Sequence, residues 1–302
     1  MAHPTMQANA PVGIIGLGLM GAALSARLID AAIDLIGFDI EMARCEDLKA
    51  RGGPIACSAR DLVARSRTVV IAVYSGEQVE TLFSEIESGS GTTPPAVVCT
   101  TTCTPDEIAR LGERAASAGI PFVEAPISGT SFELLDGTAT ALMAGETSAI
   151  ESVDTLLAIL CPRRLRVGAI GDASRTKLAI NLILQNNRAA LAEGLAFAEC
   201  LGLDGRTFLA AARQSAAYSR VMDTKGEKML MRNFSPQSHI SQTLKDAELV
   251  LAEAGRLGLR LPVTTTQAEL LRAAIELEGP DSDSAAVIEA IRQRPAAPEV
   301  SR

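Results

Sequence analysis

Two sets of residues in this chain have types and spacing suited to chemistry. The first is Gly16-Leu17-Gly18-Leu19-Met20-Gly21, a Gly-x-Gly-x-x-Gly series directly after the apolar run Val12–Gly16. Gly16 allows a tight turn, Gly18 lets backbone approach a diphosphate, and Gly21 lets a helix pack closely on the strand before it. The N–H groups opening that helix then point at the anion. Eighteen residues on, Phe38-Asp39 ends the second apolar run. A carboxylate there accepts hydrogen bonds from ribose hydroxyls and repels a 2′-phosphate, so the pattern points to NAD rather than NADP. Ile40 and Glu41 follow Asp39, and Arg44 lies one helical turn further on.

The second set is Lys177 and Asn181, four residues apart and so neighbours on one helical face, with Gln185 continuing the polar stripe. Only five of the 28 basic residues are Lys, which makes Lys177 stand out. Partly desolvated beside a nicotinamide ring, such a lysine would have its pKa lowered toward use as an acid or base. A solvated lysine on a helix face is the plainer alternative. Other proton acceptors are scarce. Neither Tyr74 nor Tyr218 has a Lys four residues later, no Cys and His set offers a zinc site, and a His-Asp relay would rest on His239. No metal site is expected.

The elements that must position these residues change character along the chain. Up to about residue 170, short apolar runs (Val12–Gly16, Leu35–Asp39, Thr68–Val73, Ala96–Cys99, Ile120–Val123) alternate with segments of helical spacing. That alternation predicts βαβ units on a mostly parallel sheet, which Thr138–Ala144 and Leu165–Val167 would extend. From Lys177 to Leu201 one long Ala- and Leu-rich helical pattern follows, and helical segments continue to the end. The reading is a flexible tail at 1–11, a dinucleotide-binding α/β domain at 12–170, and an all-α domain at 171–302, hinged at Gly168–Gly171. Arg294–Arg302 reads as frayed.

At this point four motifs, in order, resemble the β-hydroxyacid dehydrogenase family, which includes 3-hydroxyisobutyrate dehydrogenase, tartronate semialdehyde reductase and L-threonate dehydrogenase. The glycine series matches the family's opening motif. Glu124-Ala125-Pro126-Ile127-Ser128-Gly129-Thr130 resembles its Asp-x-Pro-x-Ser-Gly-Gly substrate motif, Gly168 through Asn181 its catalytic helix, and Lys245-Asp246 its C-terminal Lys-Asp pair. The similarity spans about 12 to 292. It implies a doubly wound, Rossmann-type sheet followed by an all-α domain built on a long interdomain helix, and assembly as a homodimer or homotetramer. It also implies roles: Lys177 shuttles the hydroxyl proton, and Ser128 with Gly129 holds the substrate carboxylate. Asn181 holds a substrate oxygen, Lys245 reaches the cofactor, and Val73, Tyr74, Gln78 and Thr102 line its nicotinamide half. Three positions depart from the family pattern. Glu124 replaces Asp at the edge of the site, and Thr130 replaces a Gly, narrowing the pocket or offering a hydroxyl to substrate. Tyr74-Ser75 stands where Leu-Pro is frequent.

The expected activity is therefore NAD-dependent oxidation of a small β-hydroxycarboxylate, or the reverse reduction. Two alternatives are an imine reductase, where the catalytic Lys is generally replaced, and a non-catalytic nucleotide-binding scaffold, which would not need Lys177. Composition agrees with an enzyme of small molecules. The 302 residues carry a net charge of -8 with no dense basic run, which argues against nucleic acid or anionic membrane as a partner. No apolar run approaches a membrane span. The opening residues lack the plan of a signal peptide, and six scattered cysteines form no Cys-x-x-Cys pair, so a cytoplasmic location with small buried thiols is expected.

Overall fold

A computed structural model describes residues 10–89 and 94–293. Residues 1–9 of the expected tail and the expected frayed end at 294–302 lie outside the described residues. The chain divides into two compact units, Met1–Lys177 and Leu178–Arg302, with the division falling inside one continuous helix.

The first unit begins β1 (Val12–Ile15), α1 (Leu19–Asp30), β2 (Leu35–Phe38), α2 (Met42–Ala50), α3 (Ala59–Arg65) and β3 (Thr68–Ile71). It continues with α4 (Gly76–Gly89), β4 (Ala96–Cys99), α5 (Pro105–Ser117), β5 (Phe122–Glu124), β6 (Ile127–Ser128) and α6 (Ser131–Leu135). The last elements are β7 (Thr140–Ala144), α7 (Thr147–Leu160), β8 (Arg163–Gly168) and the start of α8 (Asp172–Cys200). The strands form one sheet in the order β2-β1-β3-β4-β5-β7-β6, with β8 pairing β7. Pairing is parallel from β2 to β5 and between β7 and β8, and antiparallel where β7 meets β5 and β6. The mostly parallel α/β fold read from the sequence is thus present.

Strand residues alternate between two buried layers, as helices on both faces require. Ile14, Val70, Val98 and Val123 belong to the core that includes Leu24 and Leu28 of α1 and Leu156 of α7. Ile15, Val69, Ile71, Val97 and Cys99 belong to the core with Leu62 of α3, Phe83 of α4 and Leu111 of α5. The helices are punctuated locally. Thr104 caps α5 in a reciprocal box with Glu107, and Pro105 occupies the first turn, where its missing N–H is harmless. Because β2 lies on one side of β1 and β3 on the other, the strand order reverses at the carboxyl ends of β1 and β3. In open α/β sheets that crevice is where ligands bind.

The second unit is helical: the rest of α8, then α9 (Gly205–Arg213), α10 (Val221–Met231), α11 (Ile240–Arg256), α12 (Pro262–Glu278), a 3₁₀ turn (Ser284–Ala286) and α13 (Val287–Arg292). Leu195, Leu209, Met229, Ile240, Leu271 and Ile288 are among the residues of its core. That core also contains an ion pair. Lys225 Nζ lies 2.8 Å from both carboxylate oxygens of Asp283, and the two side chains are 2% and 0% exposed. Backbone N–H groups of Gln237 and Ala285 donate to the same carboxylate, which meets the demand that a buried charge be paired and hydrogen-bonded. Among the described residues no helix is long and apolar enough to cross a membrane. All six cysteines are free. Cys57 and Cys200 are exposed, correcting the expectation that each is a buried hydrophobe; Cys57 lies in the loop before α3, and Cys200 is the last residue of α8.

Candidate active site

The three glycines of the first turn do three separate things. Gly16 has φ +91°, and a Cβ there would stand 2.5 Å from the Ala72 carbonyl oxygen just beyond β3. A Cβ on Gly21 would stand 1.8 Å from the Gly16 carbonyl oxygen, so α1 packs on β1 only because position 21 has no side chain. A Cβ on Gly18 would meet nothing within 4 Å. Gly18 is the N-cap of α1 and supplies no side-chain cap, and the first turn holds no acidic residue. The open space at Gly18 and the lack of a side-chain cap on the first turn fit a dinucleotide diphosphate at this helix start. Leu17 is buried, while Leu19 and Met20 begin α1.

Asp39 follows β2 and braces this turn. Its Oδ2 accepts from Leu17 N–H at 2.7 Å, its Oδ1 from Glu41 N–H at 2.9 Å, and Arg44 Nη1 approaches Oδ2 at 3.3 Å. The Asp39 side chain is 5% exposed and that of Arg44 50%. The carboxylate therefore holds the glycine turn to the end of β2, a position that fits an adenosine ribose.

Beyond β3, Tyr74 N–H donates to Gln78 Oε1 at 2.8 Å, joining two of the residues expected to line the nicotinamide. Val73 is tied instead to Thr101: its N–H donates to Thr101 Oγ1, and that hydroxyl donates to the Val73 carbonyl, both at 3.1 Å. Thr101 was not singled out in the sequence, where the neighbouring Thr102 was; Thr102 is half-buried beside it. A run of three threonines gives no signal of which one bridges the strands.

Lys177 lies on α8, and its Nζ donates to the Ile127 carbonyl at 2.8 Å. Ile127 directly precedes Ser128 in β6, so the ammonium stands against the Ser128-Gly129 segment. Gly129 has φ +148°, a conformation that a side chain would strain, and a Cβ there would stand 2.8 Å from the Cβ of Ala139. Thr130 has a structural employment that the sequence reading did not give it. It is the N-cap of α6: its Oγ1 accepts from Glu133 N–H, and Glu133 Oε2 accepts from Thr130 N–H at 2.9 Å. The Thr-x-x-Glu spacing was a readable capping signal, hidden by its overlap with the substrate motif.

Glu124 is the last residue of β5, three residues before Ile127. It is 1% exposed, and its carboxylate accepts from Gly171 N–H at 2.7 Å and from Ser174 N–H, in the first turn of α8. Burial pushes its pKa above the ordinary carboxylate value, with the donated backbone hydrogen bonds opposing that rise.

In the helical unit, Asn181 Nδ2 donates to Asp246 Oδ2 at 2.9 Å, and Lys245 Nζ pairs with Asp246 Oδ1 at 3.0 Å. The expected substrate residue Asn181 and cofactor residue Lys245 thus share one carboxylate. Gln185 Nε2, further along the stripe, donates to the Thr243 carbonyl. His239 is the N-cap of α11, and its Nδ1 hydrogen-bonds the Asp281 carbonyl at 2.8 Å.

Comparison with known proteins bears on the whole chain. A family model for the NAD binding domain of 6-phosphogluconate dehydrogenase matches residues 11–168. One described as NAD-binding of NADP-dependent 3-hydroxyisobutyrate dehydrogenase matches residues 171–291. The chain is 30% identical over 286 residues to 2-hydroxy-3-oxopropionate reductase of Escherichia coli, covering 93% of this chain and 96% of that one. In fold it is similar to a 3-hydroxyisobutyrate dehydrogenase from Salmonella typhimurium, with TM-score 0.84 at 23% identity over 93% of this chain and 99% of the other. An imine reductase from Pseudomonas sp. is similar at TM-score 0.66 and 21% identity, over 94% of this chain and 100% of the other. The chain belongs to the β-hydroxyacid dehydrogenase family, and it is an NAD(P)-dependent oxidoreductase acting on the CH–OH group of small hydroxyacids.

Proposed function

We propose that the enzyme oxidises a small β-hydroxycarboxylate, or reduces the matching semialdehyde or ketoacid, with NAD preferred over NADP and Lys177 as acid and base. The observation that carries this reading is the 2.8 Å contact of Lys177 Nζ with the carbonyl preceding Ser128. It brings the chain's candidate proton carrier to the segment that resembles the family's carboxylate-binding motif.

The bound nicotinamide supplies a hydride acceptor or donor for the carbon bearing the hydroxyl. In oxidation Lys177, as the neutral amine, takes the hydroxyl proton; in reduction its ammonium returns it and stabilises the alkoxide charge. The Ser128 hydroxyl and Gly129 N–H hold the substrate carboxylate. Asn181 donates to or accepts from a substrate oxygen, with Asp246 fixing the orientation of its amide. Thr130 Oγ1 already accepts one hydrogen bond, from Glu133 N–H, and that cap fixes the orientation in which its hydroxyl would meet a substrate. Val73, Tyr74, Gln78, Thr102 and Lys245 contact the cofactor. Lys177 weighs against imine reduction. Exposed Ile183 and Phe197 on α8 support a homodimer or homotetramer.

A panel of small hydroxy acids and their methyl esters, mixed with NAD and followed at the reduced-nicotinamide absorbance, tests this reading. Free β-hydroxy acids should turn over and the esters lose most of that activity, because a hydrogen-bonded charged group is worth about 1.5–3 kcal/mol. Esters turned over as well as acids would contradict the carboxylate site. A blank panel with NAD still bound would favour a scaffold.

A further inference from the structure

The β5–β6 segment holds α8 at two points. Glu124, the last residue of β5, sends a buried carboxylate to Gly171 N–H and Ser174 N–H, and Ile127, the first of β6, offers a carbonyl to Lys177 Nζ at 2.8 Å. A helix leaves its first four N–H groups without intrahelical partners, and α8, 29 residues long, leaves them at a buried end. Its local acid does not serve there: Asp172 Oδ2 accepts from Ala169 N–H before the helix, and Oδ1 pairs with Arg175. The cap comes from the sheet instead. Ser174, which receives that cap, is one helical turn before Lys177, so the grip that fixes the start of α8 also fixes where Lys177 stands along β6.

We propose that Glu124 is a positioning residue for Lys177: it pins the first turn of α8 so that the amine meets the Ser128 segment in register for proton transfer. The role depends on reach as well as charge. An aspartate is shorter by one C–C bond, about 1.5 Å, so on this backbone it would have to draw the start of α8 toward β5 to keep both N–H groups. A shift of about 1 Å in a reacting group lowers turnover by about 100-fold. The negative charge also complements the helix dipole. This inference rests on the reading of Lys177 as the proton carrier.

Glu124→Asp, Glu124→Gln and Lys177→Ala should be assayed beside the parent, with sites counted by titration with reduced cofactor so that unfolded protein drops out. For both Glu124 variants we expect turnover per cofactor-binding site to fall at least about tenfold. The substrate KM should stay within about threefold and cofactor Kd should be unchanged. The limb of the pH–kcat profile that Lys177→Ala abolishes should be displaced. Should Glu124→Gln fail to fold, Glu124→Asp, which keeps the charge, decides. Parental turnover per site with a parental pH profile in Glu124→Asp would overturn the proposal and leave Glu124 a helix cap, whatever the loss of melting temperature. Persistence of activity in Lys177→Ala would instead overturn the reading of Lys177 itself.

Discussion

Replacing Asp39 by Asn removes one charge and almost no volume, which makes it a sharp test of cofactor choice. The Asp39 carboxylate is nearly covered and fixed by Leu17 N–H and Glu41 N–H, so it cannot swing away from a 2′-phosphate. Two unit charges about 5 Å apart at an effective dielectric of about 20 repel by about 3 kcal/mol. Arg44, 3.3 Å from Oδ2 but half-exposed, cancels part of this, leaving about 1.4 kcal/mol or more, at least tenfold in favour of NAD. Asp39→Asn should therefore raise kcat/KM with NADP by about tenfold or more relative to NAD. It should also cost about 1 kcal/mol of NAD affinity or stability, because one amide face presents N–H to Glu41 N–H. In that background the Arg44 guanidinium is released toward the phosphate, and adding Arg44→Ala should remove much of the gain. The assay is initial rate at matched subsaturating NAD and NADP at fixed ionic strength. A cofactor ratio unchanged by Asp39→Asn would refute the argument, since charge at this position would then have no part in the choice.

Two further outcomes concern the helical unit. Arg188 is buried, and among the described residues its Nε and Nη1 find no hydrogen-bond partner; burial lowers its pKa to about 10, with Asp283 and Asp246 pulling it back. Both carboxylates keep Lys partners without it, so Arg188→Met should raise the urea midpoint by the equivalent of about 1 kcal/mol or more, and a lowered midpoint would mean that the guanidinium has a partner in the assembled enzyme. Burial alone would raise the pKa of Asp283, but Lys225 and two backbone N–H groups bring it below the ordinary value of 3.8. Its folded pKa lies under its unfolded one, so its contribution is complete above the unfolded value and is lost as pH falls through the folded value. Asp283→Asn should flatten that acid limb of a stability–pH curve, and an unchanged limb would count against the pairing.

Most of the first unit was legible because its strands are apolar runs bounded by helices with plain periodicity. What stayed hidden is instructive. α8 begins at Asp172, five residues before the expected start at Lys177, because its first turn is polar and is held by Glu124, 47 residues or more away in sequence. Helix α3 and the two-residue β6 are too short to show a period. The motif that names Ser128 and Gly129 could be read, but the uses of Glu124 and Thr130 could not, since both depend on which backbone N–H groups the fold brings near. Asn181 and Lys245 were visible separately; that Asp246 joins them is a contact across 65 residues. Glycine roles came through well, because backbone conformation at Gly16 and close packing at Gly21 are local demands.

The central claim is that Lys177 carries the proton while the cofactor is held elsewhere, by the glycine turn and Asp39. Turnover and NAD dissociation should be measured together for the parent, Lys177→Ala and Lys177→Arg. A general acid–base group contributes about 100- to 10,000-fold, so Lys177→Ala should lose at least that lower factor while NAD Kd stays nearly parental. Lys177→Arg should not rescue, because a guanidinium remains charged and cannot accept the proton. Retention of more than about a tenth of parental turnover in Lys177→Ala, with NAD bound normally, would contradict the account.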